Sequence, residues 1–131
     1  RNMKIKQIEH IAINTRNFEA SARFYRDILG FKQMETVEMD GFSIIYFELP
    51  GGSRLELFDY RNSNRDVGRE ESDVGLRHLA FTVENVAEHE RELREAGVNI
   101  TLPTTELPAL GVRVLLFLDP NGVTLEFCEK L

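Results

Sequence analysis

The sequence writes one phrase twice. "EHIAINTRNF" occupies residues 9–18 and "RHLAFTVENV" residues 77–86, so His10 and His78 stand 68 residues apart at the same place in each copy. Ala12 then aligns with Ala80, Asn17 with Asn85, Arg23 with Arg91 and Arg26 with Arg94. Further on, "IIYFELPGGSRLELF" (44–58) aligns with "VLLFLDPNGVTLEFC" (114–128) at a spacing of 70 residues. There Phe47 meets Phe117, Pro50 meets Pro120, Gly52 meets Gly122, Leu55 meets Leu125 and Glu56 meets Glu126. Internal self-similarity of this kind dictates repeated structural units. The expectation is two equivalent modules in one chain, packed about a pseudo-twofold axis.

Each copy carries the same order of elements. Residues 5–15 alternate as a strand does. Asn17 is placed to cap a helix over "FEASARFYRDIL", with Gly30 as its stop. Phe18, Ala22, Tyr25 and Leu29 form its apolar stripe. "DG" at 40–41 predicts a tight turn before "FSIIYFEL", and "PGG" at 50–52 another before "SRLELFDY". The second copy reads "LRHLAFTV" as a strand and "VAEHERELREA" as a helix. Asn85 and Glu88 have capping-box spacing, and Gly97 is the stop. "VNI" is short strand text, "PTTELPALG" a proline-bearing loop, "VRVLLFL" a strand, "DPNG" a turn and "VTLEFCEKL" the last strand. Residues 60–75 are polar and aperiodic, the mark of a long exposed connection. The reading is one domain over 4–131, built from module 5–59 and module 76–130 joined by loop 60–75.

Strand parity then sorts the side chains, because successive residues leave opposite faces. His10 and Ala12 oppose Ile11 and Ile13. His78, Ala80 and Thr82 oppose Leu79, Phe81 and Val83. Glu56 opposes Leu55 and Leu57, and Glu126 opposes Leu125 and Phe127. Four strands thus share one design: a greasy face suited to packing under a helix, and a face bearing His or Glu. Ile8, on the His10 parity, breaks the pattern. Taken singly, each His reads as an ordinary hydrogen-bonded residue and each Glu as a solvated strand position. Matched at repeat positions, His10, Glu56, His78 and Glu126 read as two imidazoles and two carboxylates serving one ion. Such a set suits a divalent first-row metal, Zn, Ni, Co, Mn or Fe, with geometry and supply deciding among them.

Composition excludes more than it names. A net charge of −6, from 22 acidic and 16 basic residues, argues against a general nucleic-acid binder. No apolar run approaches the ~20 residues of a membrane span. No charged-then-apolar leader is visible, and Met3 is read as the natural start, with Arg1 and Asn2 as additions. The single cysteine, Cys128, permits no internal disulfide and fits a reducing, cytoplasmic setting. It is read as a small strand residue and not a nucleophile. His89, in "EHERELRE", is expected in solvent. Arg54 and Arg113 are weighed as anion contacts against plain surface roles. Phe42, Tyr46, Phe58 and Tyr60 are weighed as pocket lining against core and edge.

"HIAINTRNFEASARFYRDILGF", "RLELF", "RHLAFTVENVAEHERELREAGV" and "FLDPNGVTLEF" together resemble the vicinal oxygen chelate superfamily, and within it glyoxalase I (lactoylglutathione lyase). The resemblance covers nearly all of 5–130. It implies an α+β fold of two βαβββ modules whose curved sheets form a metal-bearing cavity, the glyoxalase/bleomycin resistance/dioxygenase fold. The family's metal positions carry over onto His10, Glu56, His78 and Glu126, and all four are present. Fosfomycin-resistance enzymes and extradiol dioxygenases generally use two His and one Glu, so the full set leans towards glyoxalase I. The alternatives are an epimerase, a thiol transferase of antibiotic resistance, a ring-cleaving dioxygenase, or a binder of drugs or metabolites without turnover. Asn14 stands where bacterial glyoxalase I commonly has a basic residue that helps hold glutathione, and Tyr60 where the family often has Asn. The resemblance therefore implies the metal chemistry and not the identity of the thiol. It also implies a small-molecule substrate, such as a thiol adduct, and a homodimer.

The implied reaction turns the hemithioacetal of a 2-oxoaldehyde into a 2-hydroxyacyl thioester through an ene-diolate. The metal is a Lewis acid on the developing oxyanion. By resemblance Glu126 is the base that moves the proton, with Glu56 as its pseudo-symmetric partner.

Overall fold

A computed structural model describes residues 3–131. Arg1 and Asn2, read above as additions ahead of Met3, lie outside the described residues. The chain divides into two compact units, one ending at Asp66 and one beginning at Val67. The fold is α+β, with one four-stranded mixed sheet in each unit.

The first unit runs β1 (His10–Asn14), α1 (Phe18–Arg23), β2 (Lys32–Met39), β3 (Phe42–Glu48) and β4 (Arg54–Asp59). Its sheet has the order β1-β4-β3-β2. β1 pairs parallel with β4, which sets Ala12 opposite Glu56. The Asn17 side chain accepts the Ala20 N–H at 3.0 Å and so caps α1 as expected. The helix then widens into a π-helical turn over Phe24–Ile28, where the Leu29 N–H reaches back to the Phe24 carbonyl at 3.0 Å. That widening brings both Phe24 and Tyr25 into the core, along with Ala22, Leu55 and Leu57.

The strand expected over 5–15 is only five residues long. β4 starts at Arg54, opposite His10, so the β1–β4 ladder starts there; upstream, among the described residues, only the Glu9 carbonyl accepts a β4 N–H, that of Arg54 at 3.1 Å. Ile8 lies outside the strand and is exposed, which removes the parity conflict it posed.

The second unit runs β5 (Leu79–Thr82), α2 (Val86–Glu95), β6 (Ile100–Leu107), β7 (Val112–Leu118) and β8 (Thr124–Lys130), with sheet order β5-β8-β7-β6. Asn85 Oδ1 accepts the Glu88 N–H at 3.1 Å. The Val98 N–H returns to the Leu93 carbonyl at 3.0 Å across Gly97, whose φ of 79° needs a glycine. Leu115, Phe117 and Leu125 are fully buried on the helix side of this sheet.

One expectation fails here. "PTTEL" was expected in a loop and is instead part of β6. Proline is tolerated because β6 is an edge strand and its pairing with β7 shifts register between Ile100 and Thr105. Glu90, on α2, pins the irregular stretch by accepting the Thr104 N–H at 2.6 Å and its hydroxyl at 2.7 Å.

Residues 60–78 form neither helix nor strand. Among the described residues no helix is long and apolar enough to cross a membrane.

Candidate metal centre

The parallel pairing of β1 with β4 fixes the first half of the candidate site. His10 opens β1 and Glu56 is the third residue of β4, and both belong to the face opposite Leu55 and Leu57. His10 Nδ1 lies 3.3 Å from Glu56 Oε2. Glu56 is 7% exposed, rare for a carboxylate and costly unless it has a partner. The parallel pairing of β5 with β8 repeats the arrangement. His78 immediately precedes β5, and its Nε2 lies 3.2 Å from Glu126 Oε1. The four sequence-predicted residues therefore come as two His–Glu pairs, one in each unit.

These separations fit a shared ion. Two donors each ~2.0–2.2 Å from one metal ion sit about 3.0–3.4 Å from each other. Imidazole nitrogen with carboxylate oxygen is also the donor chemistry that zinc and its neighbours accept.

Two carboxylates absent from the sequence-derived set join the histidines. Glu9 Oε1 lies 3.0 Å from His10 Nδ1, and Glu9, His10 and Glu56 bring donor atoms within 4.8 Å of one another, a group able to hold a metal ion. The hydrogen bond with His10, helped by the Arg54 charge, holds the Glu9 carboxyl below its usual range. In the other unit Glu71 Oε1 lies 3.3 Å from His78 Nδ1. Parity could not find either one, since Glu9 precedes its strand and Glu71 lies in the connection. The "EH" dipeptide was the one available signal for Glu9.

The remaining candidates sort clearly. Arg54 lies over the Tyr46 ring, 4.5 Å from its centroid, and its nearest carboxylate is Glu9 at 3.6 Å. Arg113 is held by Glu106 at 2.6 Å and Glu129 at 3.3 Å, a structural engagement. Phe42, Phe58 and Tyr60 form one stack, with Phe42–Tyr60 centroids 5.2 Å apart. Phe58 shares the Glu56 parity of β4, so the stack borders the His10–Glu56 pair along that strand. Burial, then the Glu126 charge, pushes the Cys128 thiol up, which opposes a thiolate. His89 is not simply in solvent: its ring meets the Phe127 ring edge-on at 5.4 Å and pairs with Glu92.

With this geometry in hand, likeness to known proteins becomes informative. The family model described as Glyoxalase/Bleomycin resistance protein/Dioxygenase superfamily matches residues 7–127. The chain belongs to that superfamily. Among curated relatives, the uncharacterized protein YwkD of Bacillus subtilis is 36% identical over 130 residues, covering 98% of this chain and all of YwkD. The metallothiol transferase FosB of Staphylococcus epidermidis is 36% identical over 127 residues, covering 93% of this chain and 82% of FosB. The lactoylglutathione lyase of Escherichia coli O157:H7 is 27% identical over 123 residues, covering 92% and 90%. Among solved structures, the glyoxalase family protein of Enterococcus faecalis superposes with a TM-score of 0.83 at 32% identity, covering 97% of this chain and all of that one. This superfamily member shares its backbone frame with that structure, and its His–Glu pairs sit on strand pairs that recur in both halves of the frame.

Proposed function

We propose that this superfamily member is a metal-dependent lyase of the glyoxalase I type, converting the hemithioacetal of a 2-oxoaldehyde into a 2-hydroxyacyl thioester. The observation that carries the reading is the recurrence of one His–Glu contact, at 3.3 Å and 3.2 Å, on equivalent strand pairs of the two units. His10, Glu56, His78 and Glu126 are the residues that would hold one divalent cation, and the protein would work as a homodimer. Bound there, the cation would supply Lewis acidity to neighbouring substrate oxygens. Glu126 takes the proton from the carbon beside the carbonyl and returns it to the adjacent carbon. Its side chain is 17% exposed against 9% for Glu56, so it is the more open carboxylate to a small molecule. Glu56 is the anchoring partner. The aromatic stack of Phe42, Phe58 and Tyr60 gives the substrate an apolar border beside the polar pair.

The 36% identity with FosB favours a second reading, thiol transfer to an antibiotic. One assay separates the two. Purified protein is loaded with Zn, Ni, Co or Mn and offered methylglyoxal with glutathione or other small thiols, and hemithioacetal loss is followed by absorbance. Metal-dependent turnover supports the lyase. Metal binding with no turnover by any thiol, but thiol consumption when fosfomycin is added, replaces it with the transferase.

A further inference from the structure

We propose that Glu71, in the connection between the two sheets, is a positioning residue for His78. It holds the Nδ1 side of the ring so that Nε2 is the nitrogen presented beside Glu126. The inference rests on the metal reading above.

His78 lies between two carboxylates: Nδ1 is 3.3 Å from Glu71 Oε1, and Nε2 is 3.2 Å from Glu126 Oε1. A carboxylate only accepts, so the nitrogen facing Glu71 must carry the proton for that contact to form. When Nε2 serves as a lone-pair donor, the ring's one remaining proton sits on Nδ1 and has Glu71 as its acceptor. A carboxylate placed behind a ligating imidazole fixes its tautomer and raises its basicity.

The connection is built to keep Glu71 there. The Arg77 guanidinium donates to the Glu71 carbonyl at 3.2 Å and lies 3.5 Å from its Oε2. Arg69 donates to the Val74 and Leu76 carbonyls at 3.3 and 3.4 Å. The Glu70 N–H donates to Asp73 Oδ2 at 2.9 Å. These bonds tie residues 69–77 into a folded strap, although the segment carries no helix or strand. The sequence reads it as an exposed connection because it is polar and aperiodic, yet Glu71 is only 31% exposed.

The test uses Zn²⁺ alone as probe on the full chain. Glu71→Ala should weaken Zn²⁺ binding by about 10–100-fold in calorimetry. Glu71→Gln should recover part of the loss, since an amide oxygen still accepts. In Zn²⁺-loaded wild type the His78 Nδ1 proton should appear as a slowly exchanging NMR signal, and it should vanish in Glu71→Ala. Asp73→Ala, which removes one bond of the strap and leaves Arg77 on Glu71, should leave affinity within about twofold, a change too small for a lost ligand contact. Wild-type binding with Glu71→Ala unchanged, or equal loss in Asp73→Ala and Glu71→Ala, overturns the role of Glu71 alone. Failure of wild type to bind any Zn²⁺ overturns the metal reading and this inference with it.

Discussion

The two units use one backbone plan and dress it differently. Both sheets place the first strand parallel to the last, next to a helix capped by Asn, and both bring a His against a Glu. Around those pairs the chemistry diverges. The first unit surrounds its pair with Arg54 on Tyr46 and the Phe42–Phe58–Tyr60 stack. At the equivalent positions the second unit has Thr124, Leu116, Val112, Cys128 and Lys130. The histidines differ as well. His10 meets both Glu9 and Glu56 through Nδ1, whereas His78 gives one nitrogen to Glu71 and the other to Glu126. Duplication preserved what positions a pair, the strand register. It left free what decides how a pair behaves, its surroundings.

The largest effect is expected from breaking the equivalence of the two carboxylates. Glu126→Gln removes the proposed base and should lower kcat by ~10²–10⁴-fold, the usual worth of general base catalysis. Glu56→Gln should act mainly on metal affinity, with a smaller fall in kcat at saturating metal. Steady-state kinetics beside metal titration of both variants measure this. Equal losses of kcat would show that the two halves share the proton work.

An intermediate effect sets Glu90 against its repeat counterpart Ala22. Glu90 joins α2 to β6 by accepting two bonds from Thr104 and one from Arg94 at 2.8 Å. The Thr104 backbone N–H first, then the Thr104 hydroxyl and Arg94, pull its pKa from 4.5 down to about 2. The first unit ties helix to edge strand with a bond between Arg26 and the neutral amide of Gln33, at 2.8 Å. A depressed carboxyl contributes stability that is fully present above about pH 4.5 and lost as pH falls towards 2. Urea unfolding of wild type and Glu90→Gln should therefore differ most above pH 4.5 and converge between 4.5 and 2. Parallel curves across that window would mean the bonds do not depend on the charge.

What could be read in advance follows from where each residue gets its position. His10, Glu56 and Glu126 were legible because strand alternation has a period of two, and the repeat checked each assignment against its twin; His78, which immediately precedes its strand, was legible through the repeat. Pro103 misled, because local text cannot say that a strand lies at an edge, where a missing N–H costs nothing. Phe24 was not foreseen in the core, because a π-helical turn shifts the buried stripe off its 3.6-residue spacing. Glu9 and Glu71 were missed for a shared reason. Both reach their histidines from backbone outside the strands, where no periodicity governs side-chain direction.

The smallest effect sharpens the comparison at the helix caps. Asn17 and Asn85 accept equivalent N–H groups, those of Ala20 and Glu88. Replacing such a cap with Ala typically costs about 1 kcal/mol. In the second unit, however, a further acceptor is present: Glu129 Oε1 takes the Val86 N–H at 3.0 Å, and this bond, with Arg113, lowers the Glu129 pKa. A carboxylate at that end also favours the helix dipole. Its repeat counterpart is Asp59, one methylene shorter, whose carboxylate instead accepts the Arg61 N–H at 2.8 Å. α1 therefore leans on Asn17 more heavily than α2 leans on Asn85. Asn17→Ala should lower the urea midpoint more than Asn85→Ala does, at unchanged m. Adding Glu129→Gln to Asn85→Ala should close that gap, since the charge is what the second cap contributes. A double variant no less stable than Asn85→Ala would show that the Glu129 charge adds nothing to that helix end.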